Sequence, residues 1–176
     1  MTRRSLSRPI LATAALGALA IGPAAAPGET GHAAAKRITA AGVDGVKLGK
    51  TFRELRDAGL IGRLRPGCEL GGPNTRSARL KAPLKGQVNF TLTSPRKVDN
   101  ILIRGGAKAR GVGIGATIPQ IKAAFPKAIV DHSTEDVFRI TLVRIPKDGG
   151  GRIKFAVDVD THKTTLIGVP IIAFCE

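Results

Sequence analysis

One stretch of this 176-residue chain occurs twice. Residues 45–58, GVKLGKTFRELRDA, align with residues 111–124, GVGIGATIPQIKAA, at a constant offset and without a gap. Five positions are identical, and Glu54 and Gln120 are among those that keep their chemistry. A repeat of this length predicts two copies of one supersecondary unit, each of which needs the other to cover its apolar face.

Each copy contains the signature of a short capped helix. Thr51 with Glu54, and Thr117 with Gln120, predict capping boxes in which the threonine hydroxyl accepts from an early backbone N–H and the longer side chain binds the N-cap N–H. A glycine follows the first helix and a proline follows the second. Both helices have about two turns, which is too short for stability in isolation, so they must pack on other elements.

A first hairpin is predicted to supply part of the sheet on which these helices pack. Its strands are residues 86–93 and 98–104, joined by a four-residue loop. This loop places Phe90 opposite Ile101, with both side chains on one face.

A second hairpin is predicted on either side of the glycine-rich turn 146–151. The register that satisfies both of its faces sets Leu142 beside Phe155 and Arg139 opposite Asp158.

Three further segments complete the expected fold. Residues 127–132 predict a short strand, and residues 166–174 predict a last strand that Pro170 marks as bent or at an edge. Residues 62–85, rich in Gly, Pro and Arg, predict a long loop. The expected class is α+β with two pseudo-repeats, each a short capped helix followed by antiparallel strands.

The first residues have the pattern of an export signal. Three arginines precede an apolar run that is too short to span a membrane, and small-residue cleavage sites follow near residue 26 or residue 35. Residues 1–35 are therefore predicted to be a signal peptide and linker. The later chain has no apolar segment long enough for a transmembrane helix, so we expect a secreted, periplasmic or envelope-associated protein.

The remaining chain is expected to form one shared compact domain. Residues 36–110 would be the first repeat unit, including the basic loop, and residues 111–176 would be the second.

Two cysteines, Cys68 and Cys175, lie one in each half. In an exported chain two cysteines more often form one disulfide than two free thiols, and a bridge here would tether the long loop. The alternatives are a metal-binding or catalytic thiol, for which neither cysteine has a nearby histidine in sequence.

The balance of charge is strongly basic. A mature chain from Lys36 keeps 25 basic and 12 acidic residues, a net charge of +13, which attracts polyanions through a salt-screened field. The candidate anion-binding residues are Arg63, Arg65, Arg76, Arg79, Lys81 and Lys85. A solvated loop without a ligand is the equally weighted alternative. Because the chain contains no Trp or Tyr, specific single-stranded nucleic-acid or sugar sites are not expected.

Motifs of known chemistry are incomplete in this chain. Gly49-Lys50-Thr51 matches the end of a phosphate-binding loop, but its first glycine is missing because position 44 is Asp. The glycines at 111, 113 and 115 depart from the dinucleotide spacing. We interpret both stretches as glycine turns that enter capped helices.

Two segments combine acidic residues with a histidine. Asp158, Asp160 and His162 alternate as they would on one side of a strand and could hold a cation, although a solvated strand face is favoured. The segment 132–136 contains hydrolase residue types in one apparent turn, where they cannot form a relay without other elements. No catalytic, cofactor-binding or metal-ligating residue is therefore assigned.

The duplicated motif, apolar-x-apolar-Gly-x-Thr at the start of a short helix, resembles the β-lactamase inhibitor protein fold. It also resembles the small periplasmic lipoprotein of outer-membrane assembly, which has one such unit. The resemblance covers residues 45–58 and 111–125 and implies helices on an antiparallel sheet, which in the tandem inhibitor presents a concave surface to its enzyme. This chain differs in having one cysteine per half, few aromatic residues and no lipid-anchor cysteine.

The function expected from the sequence is non-enzymatic binding outside the cell. The partner would be an anionic envelope component or a protein, and no cofactor is expected. The alternative is an inhibitor of a secreted or cell-wall-acting enzyme.

We predict that Cys68 and Cys175 form a disulfide in the exported protein, because the compartment is oxidising and each half contributes one thiol. Intact mass of the mature protein, measured before and after reduction with alkylation, tests this. Two thiols that react without prior reduction would contradict it.

Overall fold

The structure is a computed structural model that describes residues 35–146 and 152–174. The predicted signal peptide falls almost wholly in residues 1–34, which lie outside the described residues, as do 147–151 in the second hairpin turn and 175–176. The described part is mixed α and β, and mostly β.

Thirteen strands and three α-helices occur in the described ranges. In chain order they are β1 (Lys36–Thr39), β2 (Gly42–Val43), β3 (Val46–Lys47), α1 (Phe52–Asp57), β4 (Ile61–Pro66), β5 (Arg76–Leu80), β6 (Lys85–Phe90), β7 (Val98–Gly105), β8 (Ala107–Ala109), β9 (Val112–Gly113), α2 (Ile118–Ala124), β10 (Ile129–Asp131), α3 (Glu135–Phe138), β11 (Ile140–Ile145), β12 (Ile153–Asp158) and β13 (Thr164–Val169). A single 3-10 turn, Glu69–Gly71, lies between β4 and β5.

The strands form two sheets. The larger is antiparallel and has the order β10-β11-β12-β13-β7-β6-β5-β4. The smaller has the order β3-β2-β1-β8-β9, in which β1 and β8 run parallel and the other neighbours are antiparallel. The central pair of the large sheet, β13 with β7, joins the strands that follow α2 to the strands that follow α1.

A tight hairpin precedes each of the first two helices. Asp44 and Gly45 connect β2 to β3 with φ values of 40° and 88°, and Arg110 and Gly111 connect β8 to β9 with 47° and 84°. Positive φ at both turn residues is typical of the two-residue hairpin turn that matches the twist of its strands. Gly fits the second position because it lacks a Cβ.

The capped helices are confirmed. Thr51 is the N-cap of α1, its hydroxyl accepts from the Glu54 N–H at 3.2 Å, and Glu54 accepts from the Thr51 N–H at 2.8 Å. Thr117 is the N-cap of α2, and its N–H donates to Gln120 Oε1 at 2.9 Å. The two helices have six and seven residues, so packing rather than propensity stabilises them.

The main core lies between one face of the large sheet and the layer made by α1, α2 and the small sheet. Leu55 of α1 and Ile121 of α2 are buried in one cluster with Val43 of the small sheet and with Ile101 and Phe155 of the large sheet. The core therefore draws on both halves of the chain, so neither half buries its apolar face alone.

The other face of the large sheet is also covered at its centre. Leu102, Leu142, Ala156 and Leu166 form a second buried cluster with Ile172, which lies beyond the last strand. The chain after β13 therefore folds back over the sheet, and this part of the sheet is buried on both faces.

The predicted register of the first hairpin is wrong by two residues. Val88 lies opposite Ile101, and Phe90 lies opposite Val98 after a bulge. Since a shift of two residues preserves the alternation, Val88, Phe90 and Ile101 still face the main core.

The predicted register of the second hairpin is wrong by one residue. Val143 pairs with Phe155 and Leu142 with Ala156, because the residues before Ile140 form α3 rather than strand. A one-residue slip exchanges the faces. Since both faces are buried here, apolar residues occur consecutively and the alternation did not specify the register.

The structure also differs from the sequence prediction at residues 62–85 and in the position of the last strand. Residues 62–85 form β4, β5 and their connections rather than a long loop. The last strand ends at Val169, before Pro170, and is central, so the edge alternative is wrong. The chain turns after Val169 and places Ile172 against the sheet, which agrees with the bent alternative. The short strand predicted at 127–132 is confirmed as β10.

We predict that Thr51→Ala destabilises the protein by about 1 kcal/mol, because the Glu54 N–H loses its acceptor. Urea denaturation measures the change. Thr51→Ser retains the hydroxyl and is the matched control. Equal stability of the alanine variant and the wild type would contradict the prediction.

We further predict that Glu54 contributes to stability in a pH-dependent way. The Lys50 ammonium, 2.6 Å away, and the Thr51 donors lower the pKa of Glu54 from 4.5 to about 2. The folded state therefore favours the carboxylate, and its contribution is complete above pH 4.5 and declines as the pH falls from 4.5 towards 2. Glu54→Gln keeps an acceptor for the Thr51 N–H, as Gln120 does for Thr117. Denaturation midpoints of this variant should fall less over that pH window. Parallel pH profiles for variant and wild type would show that the carboxylate has no such role.

Candidate functional site

Strands β4 and β5 form the hairpin at one edge of the large sheet, and their side chains alternate between core and solvent. Ile61 of β4 and Ala78 and Leu80 of β5 are buried in the main core. Arg79 lies between two of these core residues in sequence, so its side chain is on the opposite face, where it is exposed.

A bulge brings a second and a third arginine beside Arg79. Ile61 pairs with Leu80 and Leu64 pairs with Ala78, so Gly62 and Arg63 lie together opposite Arg79. Arg65 follows on the same face as Arg63, since their positions differ by two residues.

The three arginines, Arg63, Arg65 and Arg79, are named here the arginine cluster. With Gly62 they line a surface depression of about 250 Å³. None of them forms an ion pair within the part of the chain that the structure describes. Three arginine side chains therefore line one depression, and none of them is paired with a carboxylate of the described residues. Unpaired guanidinium groups are able to bind phosphate and carboxylate oxygens.

A polar strip continues from this cluster across the neighbouring strands. Cross-strand pairing aligns Arg65 with Ser77, Ser77 with Asn89 and Asn89 with Asn100. Gln87 donates to Asn89 Oδ1 at 3.2 Å, whereas the Oδ1 of Asn100, a residue only 3% exposed, has no hydrogen-bond partner among the described residues. No site was predicted at this strip, although its polar residues on β6, Gln87 and Asn89, alternate with apolar ones.

The other candidate anion-binding residues lie outside the arginine cluster. Arg76 donates to the carbonyl oxygens of Pro73 and Thr75, both at 2.7 Å, so its guanidinium holds the connection to β5. Lys81 is exposed in the β5–β6 turn, and Lys85 pairs with Gly105 at the start of β6. The structure thus brings together three of the six predicted residues.

Asp158, Asp160 and His162 do not alternate along one side of a strand as predicted, because β12 ends at Asp158 and a turn follows. Asp158 Oδ1 accepts from the N–H and the hydroxyl of Thr161 at 2.8 and 2.7 Å, and these bonds lower the pKa of Asp158. Asp160 is ion-paired with Arg139, and His162 is exposed with a φ of 56°. The predicted pair of Arg139 with Asp158 is therefore wrong. Within residues 35–146 and 152–174, no group of three or more His, Cys, Asp or Glu side chains is placed to hold a metal ion.

The turn before α3 separates its serine from its histidine. His132 Nδ1 lies 2.6 Å from Glu135 Oε1, whereas the Ser133 hydroxyl donates to Asp131 Oδ1 at 2.7 Å. The hydroxyl of Thr141 also donates to Glu135 and is the main cause of the lowered pKa of Glu135. Ser133 and His132 are therefore bonded to different carboxylates, and these bonds fix the turn rather than form a serine–histidine relay.

The phosphate-loop-like stretch is a turn that enters a capped helix. Gly49 has a φ of 80°, the ammonium of Lys50 is ion-paired with Glu54 at 2.6 Å, and Thr51 caps α1. The cation that a phosphate would need is therefore bound to a carboxylate.

The predicted disulfide falls partly outside the described residues. Cys68 follows β4 and is half-buried, and its carbonyl oxygen accepts from the Thr75 hydroxyl at 2.8 Å. Cys175 lies beyond residue 174, so the bridge stays a prediction.

Two findings bear on the wider class of the protein. Of the helices in the described ranges, none has the length and apolarity needed to cross a bilayer. Comparison with protein-family models, with curated proteins and with solved structures gave no match to this chain.

Proposed function

We propose that this chain is an exported, non-enzymatic binding protein whose arginine cluster holds an anionic polymer of the cell envelope. The observation that carries the proposal is the convergence of Arg63, Arg65 and Arg79 on one face of an edge hairpin without an ion-pair partner among the described residues. Guanidinium groups bind phosphate and carboxylate oxygens through paired N–H donors, so the cluster fits a ligand with repeated anionic groups.

The distribution of charge elsewhere supports this proposal. Several exposed cations are already paired, as in Lys36 with Asp44 and Lys50 with Glu54. The arginine cluster is therefore a concentration of positive charge within a mature chain of net charge +13, and it would attract a polyanion over roughly a Debye length of 10 Å at 0.1 M salt.

The shape of the site favours a polymer over a small ion. Arg63 and Arg79 are exposed and the depression is shallow, so a single small anion would stay hydrated there. A polymer contacts several guanidinium groups at once. Because its anionic groups are linked, binding of one group holds the next at a high effective concentration, which raises the total affinity.

We also propose that the two halves are pseudo-repeats. Each half has a two-residue hairpin turn with positive φ values, a threonine-capped helix and then four strands of the large sheet. The order of the sheet is the same when counted inward from either edge, which supports a duplicated unit.

We predict that replacing Arg63, Arg65 and Arg79 with Gln weakens retention on the native envelope fraction and on immobilised polyphosphate by about tenfold or more, and that wild-type retention falls steeply with salt. Because the three side chains are on the solvent face, thermal unfolding should change little.

The matched control replaces Arg53, Lys122 and Lys163 with Gln, which removes the same charge from other exposed positions. It should retain most of the binding. Equal losses in the two variants would contradict a defined site, and binding that survives both high salt and the cluster variant would favour apolar contacts of the kind an enzyme inhibitor makes.

A further inference from the structure

A cavity of about 630 Å³ lies apart from the arginine cluster. Its walls come from β1, the β8–β9 turn, the residues that follow α2, and the paired ends of β11 and β12. In the large sheet β13, β7 and β6 separate β11 and β12 from β4 and β5. The cavity and the arginine cluster therefore share no lining residue and can be altered by separate substitutions.

The inner wall of the cavity is apolar. Ile38, Phe125 and Ile153 line it and are 3%, 7% and 7% exposed, and all three belong to the main core. Pro126 and Ile145 extend this wall. The cavity thus reaches the hydrophobic core, where an apolar ligand group would be removed from water and a polar one would lose its hydration.

Three cationic residues also line the cavity, beside Thr39, Ala40 and Pro146. Arg37, Arg110 and Lys127 contribute to the cavity, and the described residues that line it include no Asp or Glu. Neither Arg37 nor Arg110 forms an ion pair with any described residue, and the Arg110 guanidinium carbon lies 5.0 Å from the centroid of the Phe125 ring. The contact with Phe125 holds one guanidinium at the boundary between the apolar wall and solvent.

We propose that this cavity binds a single-chain anionic amphiphile. Its hydrocarbon chain lies against Ile38, Phe125 and Ile153, and its carboxylate or phosphate head lies between Arg37 and Arg110. The volume is within the range of roughly 300–1,000 Å³ typical of small-molecule sites. The apolar inner wall and the cations at its margin match a ligand with its charge at one end. The hydrocarbon chain then contacts the wall, and the charged head contacts the guanidinium groups.

Three probes that share parts of this chemistry test the proposal by calorimetry on the mature protein. Dodecanoate has both the chain and the charge, dodecan-1-ol lacks the charge, and butanoate lacks the chain. We expect dodecanoate to bind below its micelle-forming concentration, and the other two to bind at least about tenfold more weakly. Failure of dodecanoate to bind, or equal binding of the alcohol, would overturn the proposal.

The variant Arg37→Gln/Arg110→Gln tests the head group. It should weaken dodecanoate binding by about tenfold or more and leave that of dodecan-1-ol nearly unchanged. Arg53→Gln/Lys163→Gln removes the same net charge elsewhere and should bind dodecanoate as the wild type does. An equal loss of dodecanoate affinity in this control would show that net charge causes the effect, and it would overturn the proposed site.

Methyl NMR tests the position of the chain. The δ1-methyl signals of Ile38, Ile145 and Ile153 should shift on addition of dodecanoate, whereas that of Ile61, buried at the start of β4, should not. Uniform shifts or no shifts would contradict the assigned cavity.

Dodecyl phosphate, compared with dodecanoate, shows whether a phospholipid-derived head or a fatty-acid head fits Arg37 and Arg110 better, and tighter binding of either supports the proposal.

Discussion

The pairing of β7 with β13 is the contact on which the rest of the structure depends. Ile103 lies opposite Ile167, and this register joins the strands of both halves into one sheet. Both residues are fully buried in the main core, so the sheet presents a continuous apolar face across the junction. Helices of six and seven residues cannot be stable alone. They are held because this face covers Leu55 of one and Ile121 of the other at the same time.

The position of β4 at an edge of the large sheet gives a physical reason for the arginines on this strand. An open edge strand exposes unpaired N–H and C=O groups that invite pairing with another chain, and charged side chains and bulges discourage it. Strand β4 is such an edge and has both features, since Arg63 lies in its bulge and Arg65 follows. The same arrangement places both arginines beside Arg79, so the features that discourage edge pairing also form the arginine cluster on which the proposed function rests.

The two proposed sites both contain arginine guanidinium groups, but the residues around these groups differ. The arginine cluster is shallow and open, and its neighbours toward the sheet centre are the polar Ser77 and Gln87. The cavity near α2 places Arg110 over the ring of Phe125 at the margin of the core. Depth and the apolar wall, rather than charge, therefore distinguish a polymer site from an amphiphile site.

The sequence alone determined the local elements, because their signals are short in range. Thr51 and Thr117 were found as N-caps from their spacing to Glu54 and Gln120, and the class of mixed α and β followed. The register of β11 with β12 was decided by tertiary structure, since burial on both faces removes the alternation that specifies pairing. The three residues of the arginine cluster were predicted to bind anions, but they were placed in a loop rather than on the strands β4 and β5. Only the core contacts of Ile61 and Ala78, far apart in sequence from the residues they pack against, made this segment a hairpin and turned its arginines to one side.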